Sequence, residues 1–188
     1  MKIRFFIIIL AMSSLLHSEE NFGIVVHGGA GVMSGLSEER QQEIHKKIQE
    51  TVSQAYEILE KGGSSLDAVE LAVSMLEDSP LFNAGRGSVY NSDEVQEMDA
   101  SIMDGKNRLS GAVASVTSVK NPIKLARKVA EETKHVLLMG EGAERFAKDI
   151  GVDIVEKDYF YNEERLKRLR NSKTVSYTHL RAHETLPY

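Results

Sequence analysis

Residues 76–105 read LEDSPLFNAGRGSVYNSDEVQEMDASIMDG, and the change of pattern inside this stretch sets the architecture on either side of it. Before it the chain is helical in pattern. Ser64 and Asp67 form a capping pair, and Ala68, Val69, Ala72, Val73 and Leu76 recur at helical spacing up to Pro80. From Phe82 to Asp104 the punctuation turns to Gly, Asn and Asp, with the short β-type pieces SVY and SIM between. Carboxylates abound at Asp93, Glu94, Glu97, Asp99 and Asp104, where a paired-acid or divalent-metal site could be sought. Their spacing argues against it. Asp93 and Glu94 sit in an Asn-Ser-Asp turn, Glu97 belongs to a solvated face, and Asp104-Gly105 makes a hairpin tip. Asn83 stands apart, enclosed by apolar Phe82 and the small Ala84, Gly85 and Gly87. An amide so placed must find partners, and its donor and acceptor suit it to hold a catalytic hydroxyl or a substrate carboxylate.

Downstream, GAVASVTSV (111–119) alternates small and β-branched side chains, as a tightly packed strand does. Asn121-Pro122 then reads as a cap with proline at the first helical position, and Leu125, Ala126, Val129 and Ala130 supply the apolar face. HVLLMG (135–140) returns as a strand, EGAERFAKDIG (141–151) as a short helix, and Asn162 to Arg170 as a last, charged helix. Upstream, Ser37 caps a helix carrying Ile44, Ile48, Val52, Ala55 and Leu59, which Gly62-Gly63 stops. Before that lies IVVHGGAGV (24–32), where Ile24, Val25 and Val26 form a strand that Gly28, Gly29 and Gly31 forbid to continue. Glycines there permit positive φ and close approach to the main chain, which suits an anion cradle, an oxyanion site or a plain strand-to-helix corner. The tally is an α+β chain with sheets covered by helices.

Composition narrows the function. The 188 residues are 41% hydrophobic and 27% charged, in the range of one globular domain. A net charge of -5, with basic and acidic residues interleaved, leaves no footprint for nucleic acid. Zero cysteines remove disulfides, thiolate chemistry and cysteine-based zinc sites. Neither glycine cluster carries the lysine of a phosphate-binding Walker loop, and GAGVMS places Ser34 where a dinucleotide fingerprint needs its third glycine. Residues 1–18, MKIRFFIIILAMSSLLHS, place Lys2 and Arg4 before an apolar run too short for a comfortable membrane span. The expectation is a signal peptide and a secreted or periplasmic protein, with a membrane anchor or a buried strand as the alternative.

Together VVHGGAG, SSLDAVELAVSMLEDSPLFNAGRGSVYNSDEVQEMDASIMDG and GAVASVTSVKNPIKLARKVAEETKHVLLMGEGAERFA resemble the N-terminal part of the plant-type L-asparaginase and isoaspartyl peptidase family. The resemblance runs from about Phe22 to about Arg170. It implies an α+β, four-layer αββα N-terminal-nucleophile hydrolase of L-asparagine and β-aspartyl dipeptides, made as a precursor that cuts itself. The freed threonine of the second subunit is then the nucleophile, with its own amine as base. The resemblance further implies that Gly28, Gly29 and Gly31 lie beside that nucleophile, with His27 structural, and that Asn83 supports the threonine. It implies no cofactor for catalysis but a structural sodium ion, held mainly by the carbonyls of Leu76, Glu77, Ser79, Phe82, Ala84 and Arg86. The partners implied are a β-subunit and an (αβ)2 assembly, with no nucleic acid and no membrane. The family nucleophile sits in a Gly-Thr-Val-Gly context, and Thr174-Val175 lacks both glycines. The expectation is thus a signal peptide over 1–18, an α-subunit portion over 19–173 without catalytic threonine, and a non-native tail over 174–188, where VSYTHLRAHETLPY matches nothing in the family. A non-catalytic α-type partner chain and a glycosylasparaginase-like relative are the alternatives.

Overall fold

The computed structural model describes residues 22–29, 31 and 35–184, with side chains described as far as Thr174. The expected export segment lies outside the described residues. Helix α1 spans Glu38–Glu60 and α2 spans Ser65–Glu77. Strands β1 (Met98–Asp104) and β2 (Leu109–Val116) form an antiparallel hairpin, and α3 (Pro122–Glu132) leads to β3 (Leu137–Met139), which pairs parallel to β2. Helix α4 (Gly140–Asp149) and helix α5 (Glu163–Glu184) complete the chain. The three strands lie in the order β1-β2-β3. No helix among the described residues is long and apolar enough to cross a membrane.

Local chemistry explains the element ends. Ser37 accepts from the Arg40 N–H, and Ser64 and Asp67 close a reciprocal capping box. At the other end of α1 the Gly62 and Gly63 N–H groups donate to Leu59 and Ile58, with Gly62 at φ +77, which satisfies the orphan carbonyls of the last turn. Asp104 takes the N–H groups of Lys106 and Asn107 and so builds the hairpin tip.

The core lies between one sheet face and the helices. Ile102, Val113 and Val116 pack with Leu125, Ala126 and Val129 of α3 and with Ala143 and Ala147 of α4. Gly111 allows the closest approach, because a Cβ there would lie 2.2 Å from the Ala126 carbonyl oxygen of α3. A smaller cluster of Ala55, Ala68 and Ala72 joins α1 to α2 and receives Ile24 and Val26. The opposite sheet face stays open, with Met103 at 80% exposure and Leu137 and Met139 also exposed.

Three expectations change. Ile24, Val25 and Val26 are extended but unpaired among the described residues, and Val25 is 96% exposed, since a strand needs a ladder partner as well as propensity. Residues 88–90 are not a strand, because Ser88 is drawn into the turn through its bond to Gly85. Helix α5 runs past Arg170 to Glu184.

Candidate active-site turn

Helix α2 ends in a turn that folds back on it. Gly85 holds φ +49, and a Cβ on it would lie 2.2 Å from the Glu77 carbonyl oxygen. A Cβ on Gly87 would lie 2.0 Å from the Phe82 carbonyl oxygen and 2.9 Å from that of Pro80. Two glycines therefore let main-chain oxygens of residues 77–82 and the returning strand of the turn touch, a packing that no side chain permits. The Gly87 N–H donates to Ala84, the Ser88 N–H and hydroxyl both donate to Gly85, and Gln96 Nε2 donates to the Ser88 carbonyl at 2.8 Å. The outcome is a stiff loop with few degrees of freedom left.

Asn83 projects from this loop. The sequence places it in an apolar enclosure; the structure exposes it, although Phe82, Gly85 and Gly87 around it are buried. Its Oδ1 accepts the Val89 N–H at 2.9 Å, which fixes the amide orientation and leaves Nδ2 to donate elsewhere. It lines a cleft of about 330 Å³ together with Glu77, Ala84, Gly85, Ser88, Val89, Glu97, Met98, Asp99 and Pro122.

The N-terminal glycine loop meets the same turn. A Cβ on Gly28 would lie 3.0 Å from Ile48 Cδ1 and 3.1 Å from Phe82 Cε1, so Gly28 is the point where residues 24–29 rest on the ring beside Asn83. The positive φ belongs to its neighbour, Gly29 at +101, whose N–H takes His27 Nδ1 as acceptor at 3.2 Å. A Cβ on Gly31 would meet nothing within 4 Å among the described residues. Gly28 thus meets the turn by close packing, and Gly29 makes the bend.

Beneath the loop lie acids that periodicity alone did not single out. Glu77 is only 3% exposed; its Oε1 accepts the Ile123 N–H at 3.0 Å, and its Oε2 has no hydrogen-bond partner among the described residues. Burial pushes its carboxyl up to about 8. Asp78 Oδ1 accepts from Asn121 Nδ2 at 3.1 Å and from the Tyr159 hydroxyl at 3.4 Å, and Arg86 stacks over the Tyr159 ring at 5.4 Å. Asn121 therefore holds Asp78 and makes no side-chain cap to its own helix. A signal for Glu77 was present, since an acid in the last turn of a helix opposes the helix dipole.

The remaining acids stay dispersed. Glu97 accepts from Asn91, Asp99 from the Ser115 N–H, and Glu94 pairs with Arg170. Among the described residues no group of three or more His, Cys, Asp or Glu is placed to hold a metal ion.

Comparison with known proteins shows the family. The family model described as "Asparaginase" matches residues 20–186. The chain is 47% identical over 150 residues to the isoaspartyl peptidase/L-asparaginase of Rattus norvegicus, covering 80% of this chain and 44% of that protein. It is 51% identical over 145 residues to the plant-type L-asparaginase of Thermococcus kodakarensis, covering 77% and 45% respectively. With the plant-type L-asparaginase of Pyrococcus furiosus it shares 56% identity over 128 residues, covering 68% and 41%. The chain thus spans somewhat under half the length of these relatives. A family model that spans residues 20–186 and identity of this extent place the chain in the plant-type L-asparaginase and isoaspartyl peptidase family of hydrolases.

Proposed function

We propose that this chain forms the α portion of a self-cleaving threonine hydrolase of L-asparagine and β-aspartyl dipeptides. The observation that carries the reading is the seating of Gly28 on Phe82, which sets the glycine loop beside Asn83. In the complete enzyme a threonine from a second portion attacks the side-chain carbonyl carbon of the substrate; its own amine takes the hydroxyl proton and passes it to the departing ammonia or amine as the C–N bond breaks, and water then hydrolyses the acyl-threonine ester. Asn83 Nδ2, left over by the bond from Val89, donates to the threonine oxygen and holds it for attack. The glycine loop, seated on Phe82 through Gly28, is the surface against which the new N-terminus lies. A sodium ion held by the main-chain oxygens of Leu76, Glu77, Ser79, Phe82, Ala84 and Arg86 would supply fixed positive charge that stiffens the turn. The open sheet face bearing Met103, Leu137 and Met139, and the unpaired run Ile24–Val26, support a four-layer αββα sandwich in which further strands cover them. Export, a β-subunit and an (αβ)2 assembly belong to the same proposal.

The test has two arms. This chain alone should release no ammonia from asparagine and no aspartate from β-aspartyl dipeptides. Joined to the nucleophile-bearing remainder of the Pyrococcus furiosus relative it should become active, and Asn83→Ala should then lower turnover by about 1–3 kcal/mol, roughly 5- to 150-fold. Release by the unjoined chain, abolished by Thr174→Ala, would overturn the assignment.

A further inference from the structure

The N-terminus of α3 is capped from outside the helix. Asn121, which the sequence marks as its cap, turns its amide to Asp78 Oδ1, and the Ile123 N–H is taken by Glu77 Oε1 at 3.0 Å. Two consecutive residues at the end of α2 thus grip the start of α3, 46 positions away for the Glu77 bond. The turn that begins there also closes back on Glu77, since the Gly85 backbone lies against the Glu77 carbonyl oxygen. Glu77 is therefore both the anchor of the turn to α3 and the surface on which the far side of the turn rests. Its placement is costly, because its buried Oε2 has no hydrogen-bond partner among the described residues. An apolar side chain would avoid that cost but could not hold the Ile123 N–H.

We propose that the Glu77 side chain is a positioning residue for Asn83: by capping α3 through Ile123 it fixes the origin of the turn from which Asn83 faces the cleft. The inference deepens the function proposed above and rests on Asn83 being a site residue. The hold is transmitted through the short path from Glu77 to Gly85, whose neighbour Ala84 follows Asn83 directly.

Amide hydrogen exchange by NMR on this chain tests it, with the Val89 N–H as reporter because Asn83 Oδ1 is its acceptor. Asn83→Ala sets the rate for a lost bond. Glu77→Leu, which fills the space without an acceptor, should speed exchange at Ile123 and raise the Val89 rate at least fivefold toward that limit, while β2 amides change less than twofold. Glu77→Gln, which keeps an acceptor oxygen, should restore both reporters to within twofold of wild type. Glu77→Ala is the second variant should the leucine not fold. An unchanged Val89 amide with a fast Ile123 amide would overturn the proposal, as would uniform acceleration in β2, failure of glutamine to restore, or failure of both truncations to fold. None of these readouts needs turnover, so they stand apart from the activity test of Asn83.

Discussion

Gly85→Ala is the substitution that the turn should tolerate least. The added Cβ would sit 2.2 Å from the Glu77 carbonyl oxygen and 2.7 Å from its carbonyl carbon, so its obstacle is backbone that cannot rotate aside. Relief requires a main-chain shift of about 1 Å at the end of α2, which overpacking data place at about 1–3 kcal/mol. Gly85 also holds φ +49, and an L side chain in that region adds about 1–2 kcal/mol. Lower entropy of the unfolded chain returns about 0.4–1 kcal/mol. The net loss is about 2–4 kcal/mol, a large share of the roughly 5–15 kcal/mol that holds a domain together. Urea unfolding followed by circular dichroism reads it as a fall in midpoint of about 1–2 M at unchanged slope. Gly142→Ala is the control: it lies in α4 with open space and ordinary φ, and should be neutral or stabilising by up to about 1 kcal/mol. A Gly85→Ala protein within 1 kcal/mol of wild type would show that the turn does not close on Glu77 as described.

Other positions separate packing from chemistry. Gly111→Ala should cost about 3 kcal/mol in the same urea assay, because its Cβ would meet the Ala126 oxygen at 2.2 Å and the Ala130 nitrogen at 2.4 Å on the rigid backbone of α3; a cost under 1 kcal/mol would refute that close approach. Gly28→Val in the joined enzyme should displace the Phe82 ring and leave an uncut precursor with native circular dichroism, and efficient cutting on a denaturing gel would reduce the glycine loop to a simple corner. Glu144 gives a pH signature: partial burial opposes its ionisation, yet the Thr117 N–H and hydroxyl and the Ser118 N–H, all donating to Oε1, outweigh that and hold its carboxyl below the ordinary 4.5. A depressed folded value means that this stability is present above about pH 4.5 and is lost as pH falls through the lower folded value. Thermal melts from pH 6 to 3 should therefore be flatter in Glu144→Gln than in wild type, and parallel curves would exclude the effect.

Much of the chain was legible because its signals are local. Ser37, the Ser64–Asp67 box, Gly62-Gly63 and the Asp104 tip each satisfy backbone groups within five residues, so residue order alone specifies where those elements begin and end. The motif order around Asn83 likewise identified the family before any contact was known. Other features depended on what the fold brings together. Ile24–Val26 has strand propensity but no ladder partner among the described residues, and propensity cannot supply one. Asn121 had a local cap to make and made a tertiary bond instead, because Asp78, 43 positions away, lies within reach and Glu77 already takes the Ile123 N–H. Asn83 proved exposed although Phe82, Gly85 and Gly87 beside it are buried, and Gly28 acquired its meaning from a ring 54 positions along the chain. Sequence by itself determined helices α1 to α4, the β1–β2 hairpin, the caps at Ser37 and Ser64 and the family, since those rest on hydrogen bonds and periodicities spanning a few residues. Tertiary structure alone decided which buried acid holds the Asn83 turn and which glycine supports it, since those depend on long-range packing that places Glu77 against α3 and Gly28 against Phe82.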